Sequence, residues 1–254
     1  MSTPEVILHS VSKRFLGNAA PILQGLDLTI ARGEFVSIIG PSGCGKSTLL
    51  KLVAGLTPCT SGEITVNGKP AKDAREQVSF VFQDPTLLPW RTVEKNVALA
   101  LELEGKPTAE NQATTASLLE LVGLSHVAKH YPRQLSGGMK MRTSIARALA
   151  THPRLLLMDE PFAALDEITR DRMNEELLRL REEQNWTVLF VTHSVAEAVF
   201  LASKVIILAP HPGRIAHTLD IDLPYPRTSA TRESAAYDDL INHTSRLLRE
   251  AHRL

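Results

Sequence analysis

Residues 34–48 read EFVSIIGPSGCGKST, and no other stretch constrains the fold so tightly. The largely apolar run FVSII, stopped by Gly40, suits a strand buried on both faces of a parallel sheet. Gly40, Gly45, Lys46 and Ser47 then satisfy the spacing G-x-x-x-x-G-K-[ST], with a helix expected through KSTLLKLVAGL. In that setting the glycines let successive backbone N–H groups turn inward around phosphate oxygens, and the helix N-terminus adds partial positive charge. The loop Gly40, Pro41, Ser42, Gly43, Cys44 and Gly45, continued by Lys46, Ser47 and Thr48, is therefore expected to cradle a nucleoside triphosphate. Lys46 would reach the β- and γ-phosphates, and the Ser47 hydroxyl would ligate Mg²⁺.

Residues 135–149, LSGGMKMRTSIARAL, pose a second problem. Glycines at the head of a helix are costly unless backbone N–H groups must approach something closely. Ser136, Gly137 and Gly138 thus also look built for an anion, which leaves the chain with two phosphate cradles. Asp159 and Glu160 end another buried run, RLLLMDE. At a strand's C-terminal edge beside the phosphate loop, Asp159 is expected to hold the Mg²⁺ shell and Glu160 to polarise the attacking water. The bland alternative is that either acid caps the next turn. Gln83, after VSFVF, is placed to order that water or the metal shell through its amide. His193, after TVLFVT, also ends a strand and is placed to touch the γ-phosphate.

Elsewhere the pattern changes twice. VILHSVSKRF (6–15) and ILQGLDLTI (22–30) alternate roughly, as half-exposed antiparallel strands do, and GEITVNG and VSFVFQ read as further strands. From about residue 84 to 152 helical spacing takes over, with Leu118, Leu119 and Val122 on one stripe. Strand–helix alternation then resumes through RLLLMDE, a helix over about 169–183, TVLFVTH, VAEAVFLA and KVIILA, the pattern of a parallel sheet with helices on its faces. Tyr237, Leu240, Ile241, Leu247, Leu248 and Ala251 share a helical stripe near the end, which fits packing on the domain or contact with a partner.

Composition narrows the class of function. Of 254 residues, 43% are hydrophobic and 22% charged, and 28 basic residues balance 28 acidic ones. No global charge invites nucleic acid or an anionic membrane. No apolar run reaches the roughly 20 residues of a membrane helix, and MSTPEVILHS does not have the form of a secretion signal. Cys44 and Cys59 are too few for a disulfide scaffold, so a reducing cytosol is expected.

Taken together, GPSGCGKST, Gln83, LSGGM, LLLMDE, AALD at 163–166 and His193 make the chain resemble the ATP-binding subunit of an ABC transporter over nearly its whole length. In that resemblance they are the Walker A loop, Q-loop, signature, Walker B strand, D-loop and switch histidine. The implied fold is α/β, a P-loop NTPase with a RecA-like parallel sheet core, an antiparallel β subdomain and an inserted helical subdomain. One domain would span 1–254: core at 1–84 and 153–220, helical subdomain at 85–152, C-terminal helical extension at 221–254. Phe15 would stack on adenine. The resemblance also resolves the two cradles, because it implies that two copies meet head to tail. ATP on one Walker A loop is then closed over by Ser136, Gly137 and Gly138 of the other. Met139 and Met141 stand where many relatives carry Gln; Met can pack but cannot supply the amide's hydrogen bonds.

The same resemblance implies partners. DPTLLPWRTVEKN (84–96) lies where relatives receive a short helix of the membrane subunit, which makes Leu87, Leu88 and Trp90 candidate permease contacts; the competing reading puts them in the helical subdomain's core. The subfamily most resembled imports nitrate, sulfonate or taurine, with two membrane subunits and a solute-binding protein. ATP hydrolysis would then power import from the cytoplasmic face of the membrane. The alternative is a soluble ABC ATPase of DNA repair or translation, although the chain has no long coiled coil or paired cassette. No N-K-x-D motif supports a GTPase, and a small-molecule kinase would leave the Ser-Gly-Gly segment unexplained.

Overall fold

The computed structural model describes residues 4–17, 19–105, 108–163 and 165–253. β1 (Pro4–Lys13) and β2 (Leu23–Ala31) pair antiparallel with broadly alternating burial. β3 (Phe35–Ile39) is buried at every position and runs into the glycine loop, after which α1 (Lys46–Val53) begins. β4 (Ser61–Val66) and the short β5 (Lys69–Pro70) complete an antiparallel sheet of order β2-β1-β4-β5. β6 (Val78–Val81) leads towards Gln83. Three helices that pack on one another follow: α2 (Val93–Leu103), α3 (Thr108–Leu121) and α4 (Gly137–Leu149).

Alternation then returns as β7 (Leu155–Asp159), α5 (Glu167–Gln184), β8 (Thr187–Val191), α6 (Val195–Leu201) and β9 (Lys204–Ala209). β10 (Arg214–Asp220), α7 (Ser229–Arg232) and α8 (Ala235–Ala251) close the chain. The second sheet has the order β10-β9-β3-β8-β7-β6, parallel except for β10, which turns back antiparallel on β9. Sequence periodicity did not reveal β10, and burial explains why: Leu219 is its single buried residue.

The continuous apolar runs follow from this layering. Phe35, Ile39, Leu156, Met158, Val188, Phe190, Val205 and Ile207 face a core shared with α4, α5, α6 and α8. Their neighbours Val36, Ile38, Leu155, Leu157, Leu189, Val191, Ile206 and Leu208 face a second core with α1 and the antiparallel sheet. Each such side chain contributes about 1.5–3 kcal/mol on burial, so both faces of every central strand must be apolar. The stripe on α8 takes the domain-packing reading. Tyr237 and Ala251 are buried, Leu240, Ile241, Leu247 and Leu248 pack against the first core, and Tyr237 Oη donates to Ala196 O at 2.8 Å.

Candidate functional site

The order β3-β8-β7-β6 sets four C-terminal strand ends side by side. They deliver the 40–45 loop, His193, the acids Asp159 and Glu160, and Gln83. Backbone bonds continue past the strands, from Thr192 N–H to Ile38 O at 3.3 Å and from Glu160 N–H to Val191 O at 2.9 Å. Side chains distant in sequence therefore meet along one edge of the sheet.

The cradle is tightly built on its inner side and open at its tip. Gly45, the residue before α1, has φ 100°, and a Cβ there would lie 2.5 Å from Leu23 Cδ2. A Cβ on Gly43 would meet nothing within 4 Å. Pro41, Ser47 and Thr48 are half-buried, and Ser42 is exposed. Lys46 is buried with its ammonium bridging Gly40 O at 2.8 Å and Pro41 O at 3.0 Å. Those neutral carbonyls are weak partners for a cation, which leaves it able to turn to phosphate. Cys44 is a buried free thiol, and burial pushes its pKa up, so it behaves as a packing residue rather than a nucleophile.

Ser47 Oγ donates to Asp159 Oδ1 at 2.9 Å. Asp159 is 5% exposed. Burial pushes its carboxyl above the usual range, against the pull of the Ser47 hydroxyl and the charges of Lys51, Lys46 and His193. A hydroxyl and a buried carboxylate side by side form a hard-oxygen pair of the kind Mg²⁺ takes together with substrate phosphates.

Glu160 sits between two partners. His193 Nε2 lies 2.7 Å from its Oε1, and Gln83 Nε2 donates to its Oε2 at 3.3 Å. Its φ of 49° is left-handed, an uncommon and costly conformation for a residue with a side chain. The turn is held by Glu160 N–H on Val191 O and by Ala163 N–H on Glu160 O at 3.2 Å. A carboxylate gripped from both sides is oriented as a base would need to be.

Three expected contributors make no hydrogen bond to the side chains of this cluster, although Ala163 of the AALD segment donates its N–H to Glu160 O. Ser136 caps α4, its Oγ accepting from Met139 N–H at 3.3 Å, and Ser136 and Gly137 face solvent. Neither they nor Gly138 hydrogen-bond to the 40–48 loop. Phe15 is 42% exposed, with Lys13 Nζ 5.0 Å from its ring centroid. Of the AALD segment, Ala164 lies outside the described residues; Asp166 caps α5 by accepting from Thr169 N–H at 3.0 Å. Met141 is buried and Met139 half-buried against the core, so both do pack.

Two residues that sequence reasoning did not single out prove structural to the site. Arg147 on α4 donates to Pro85 O at 2.9 Å and Thr86 O at 3.0 Å, tying the helix that opens with Ser136 to the loop after Gln83. Gly213 bonds through its N–H to Ile22 O and through its O to Gln24 N–H, both at 2.9 Å, and a Cβ there would lie 2.0 Å from Cys44 O. Gly213→Ala is expected to push on the phosphate loop from behind and cost about 1–3 kcal/mol of stability, as overpacking does. A thermal melt indistinguishable from the parent chain's would show that the turn is not clamped there.

The profile of the ABC transporter family matches residues 23–163. The chain belongs to that family. It is accordingly an ATP-binding ATPase subunit of the ABC type. It is 45% identical over 239 residues to a putative ATP-binding protein of Brucella abortus biovar 1, covering 94% of this chain and 91% of that one. An aliphatic sulfonates import ATP-binding protein of Xanthomonas axonopodis pv. citri is 45% identical over 92% of this chain and 93% of its own length. A bicarbonate transport ATP-binding protein of Synechococcus elongatus is 46% identical over 87% of this chain, which spans 34% of that longer protein. Among solved structures, a dimeric ATP-binding cassette in a post-hydrolysis state with ADP and Pi superposes with a TM-score of 0.79 at 33% identity, over 86% of this chain and all of that one.

Proposed function

We propose that the chain hydrolyses ATP to drive import of a small solute, of the nitrate, sulfonate, taurine or bicarbonate kind, through a partner permease and with a solute-binding protein. Two copies would sandwich two ATP, each completing the other's site. The observation that carries the sandwich is a shared peculiarity of two helices. α1 and α4 have no acid in the first turn, whereas every other described α-helix except the four-residue α7 has one. An acid at either N-terminus would repel phosphate. α1 opens behind the cradle of its own chain, and α4 opens into solvent where a second copy can present its γ-phosphate.

Lys46 and the glycine-loop amides would bind the phosphates, Ser47 and Asp159 would hold Mg²⁺, and Phe15 would stack on adenine. Bound there, Mg²⁺ supplies charge neutralisation on the phosphate oxygens. Glu160 would accept the proton of the attacking water, with His193 and Gln83 orienting its carboxylate. The import reading draws on the names of relatives that align along nearly the full chain. No described helix is long and apolar enough to cross a membrane, which is why the reading includes a permease. Vesicles holding the chain, permease and binding protein should take up at least one of these labelled solutes on ATP addition. Absence of uptake, with an ATPase rate indifferent to the permease, would end the import reading.

The permease contact divides the 84–92 segment. Leu87 packs against the core, while Trp90 is 71% exposed. Buried Asn96 builds this display, its amide donating to Leu88 O and Arg91 O at 3.1 Å and Thr92 O at 3.0 Å, and accepting from Leu88 N–H at 2.8 Å. Trp90→Asp is expected to release the chain from permease-containing membranes without changing its ATP affinity. Unchanged co-sedimentation would remove Trp90 from the interface.

A further inference from the structure

Behind His193 lies a buried acid that none of these roles uses. Glu197, in the first turn of α6, is 6% exposed. Its Oε2 accepts a hydrogen bond from Thr192 Oγ1, on the residue just before His193. The same Thr192 hydroxyl accepts from Ser194 N–H at 3.0 Å, and Ser194 Oγ accepts from Glu197 N–H at 3.2 Å. Both flanks of the histidine are thus tied to Glu197, Thr192 through the carboxylate and Ser194 through the backbone N–H and the Thr192 hydroxyl. Glu160, His193, Thr192, Arg170 and Glu197 line a single cavity of about 310 Å³. Across it, Arg170 donates to Leu165 O at 2.9 Å, and its charge acts with that of Arg232 on the Glu197 carboxylate.

An acid that merely complemented its helix would stay in water, as Glu110, Glu167 and Asp238 do in the first turns of α3, α5 and α8. Glu197 is instead buried, its carboxylate facing the Asn174 amide as well as the Thr192 hydroxyl. Burying a carboxylate is unfavourable unless partners compensate, and it is tolerated where a geometry has to be held. Thr192 also bonds through its N–H to the end of β3, so the turn is anchored to the strand that carries the phosphate loop.

We propose that Glu197 is a positioning residue for hydrolysis: by fixing the Thr192–Ser194 turn it holds His193 Nε2 at 2.7 Å from Glu160. Arg170, whose guanidinium donates to Leu165 O just before α5, lines the same cavity. The proposal rests on the roles given above to Glu160 and His193.

The test is the ATPase rate of the full chain as a function of ATP. Thr192→Val removes the hydroxyl while keeping the side chain's shape, and Thr192→Ser restores it. Thr192→Val and Glu197→Ala should each lower kcat by about 10- to 100-fold while KM for ATP stays within about twofold. Thr192→Ser should keep the parent rate, and the double variant Thr192→Val/Glu197→Ala should be no slower than the slower single one, because both changes break one connection. Melting temperatures identify any variant that fails to fold; should Glu197→Ala be one, the Thr192→Val and Thr192→Ser pair decides the matter. A folded Thr192→Val with parental kcat, a KM that rises in step with the loss of kcat, or additive losses would overturn the proposal. If Glu160→Gln kept its hydrolysis, the underlying assignment of the base would fall instead.

Discussion

Glu160→Gln is expected to lose ATP hydrolysis while still binding ATP, and to leave two chains locked together by it. The amide preserves the size of the side chain and an oxygen for Gln83 Nε2 or His193 Nε2, which stand 3.3 Å and 2.7 Å from the carboxylate. It removes the negative charge and the capacity to take up a proton. Loss of general-base help is worth about 10²–10⁴-fold in rate. The cradle is untouched, since Lys46 and the glycine loop lie on a different strand end from Glu160. Binding should persist without turnover, and in the proposed sandwich each bound triphosphate would continue to join the Lys46 side of one copy to the Ser136 side of the other. Phosphate release measures the first part, and light scattering with saturating ATP measures the second. Hydrolysis within tenfold of the parent rate would show that Glu160 is not the base. A trapped-ATP monomer, even with permease present, would show that the two cradles do not share a nucleotide.

The same contrast explains how much of this was legible in the sequence. Residues proposed to touch phosphate or its metal occupy fixed spacings beside strand ends, because that chemistry would dictate both their type and their place. Hence Gly40 to Thr48, Gln83, Asp159, Glu160 and His193 were visible, and the sheet order sets their strand ends together. The two-faced cores were visible too, as runs without alternation. Residues that support the site from a distance carry no such mark. Gly213 matters because its backbone closes on Cys44, and Arg147 because it reaches Pro85 and Thr86, contacts that exist only once the chain has folded. Glu197 read as part of an ordinary short helix until its burial was seen. Around Trp90 the sequence left two readings, and the structure divides them: Leu87 joins the core and Trp90 faces solvent.

Asp159→Asn is expected to reverse sign with ligand: more stable than the parent chain when free, less stable in Mg²⁺ and ATP. In the free chain Asp159 is a buried carboxylate whose pKa burial raises. An acid raised in the folded state contributes stability below its unfolded pKa and loses that contribution as pH rises through the folded value. At neutral pH its charge is therefore a net cost, and Asn removes the charge while keeping an oxygen to accept from Ser47 Oγ. The advantage of Asn in thermal melts with chelator should shrink as pH falls into the carboxylate range, where Asp159 itself becomes neutral. Loaded with Mg²⁺ and ATP, the order should invert. Ligand at about 100 times its Kd adds about 2.7 kcal/mol to the parent, and the variant, left with Ser47 and a neutral amide oxygen for the proposed metal, should forfeit most of the metal-dependent part. Melts of both proteins with chelator, with ATP alone and with ATP plus Mg²⁺ separate these contributions. A free variant melting below the parent would contradict the burial cost, and a full Mg²⁺-dependent rise in the variant would take Asp159 out of the metal shell.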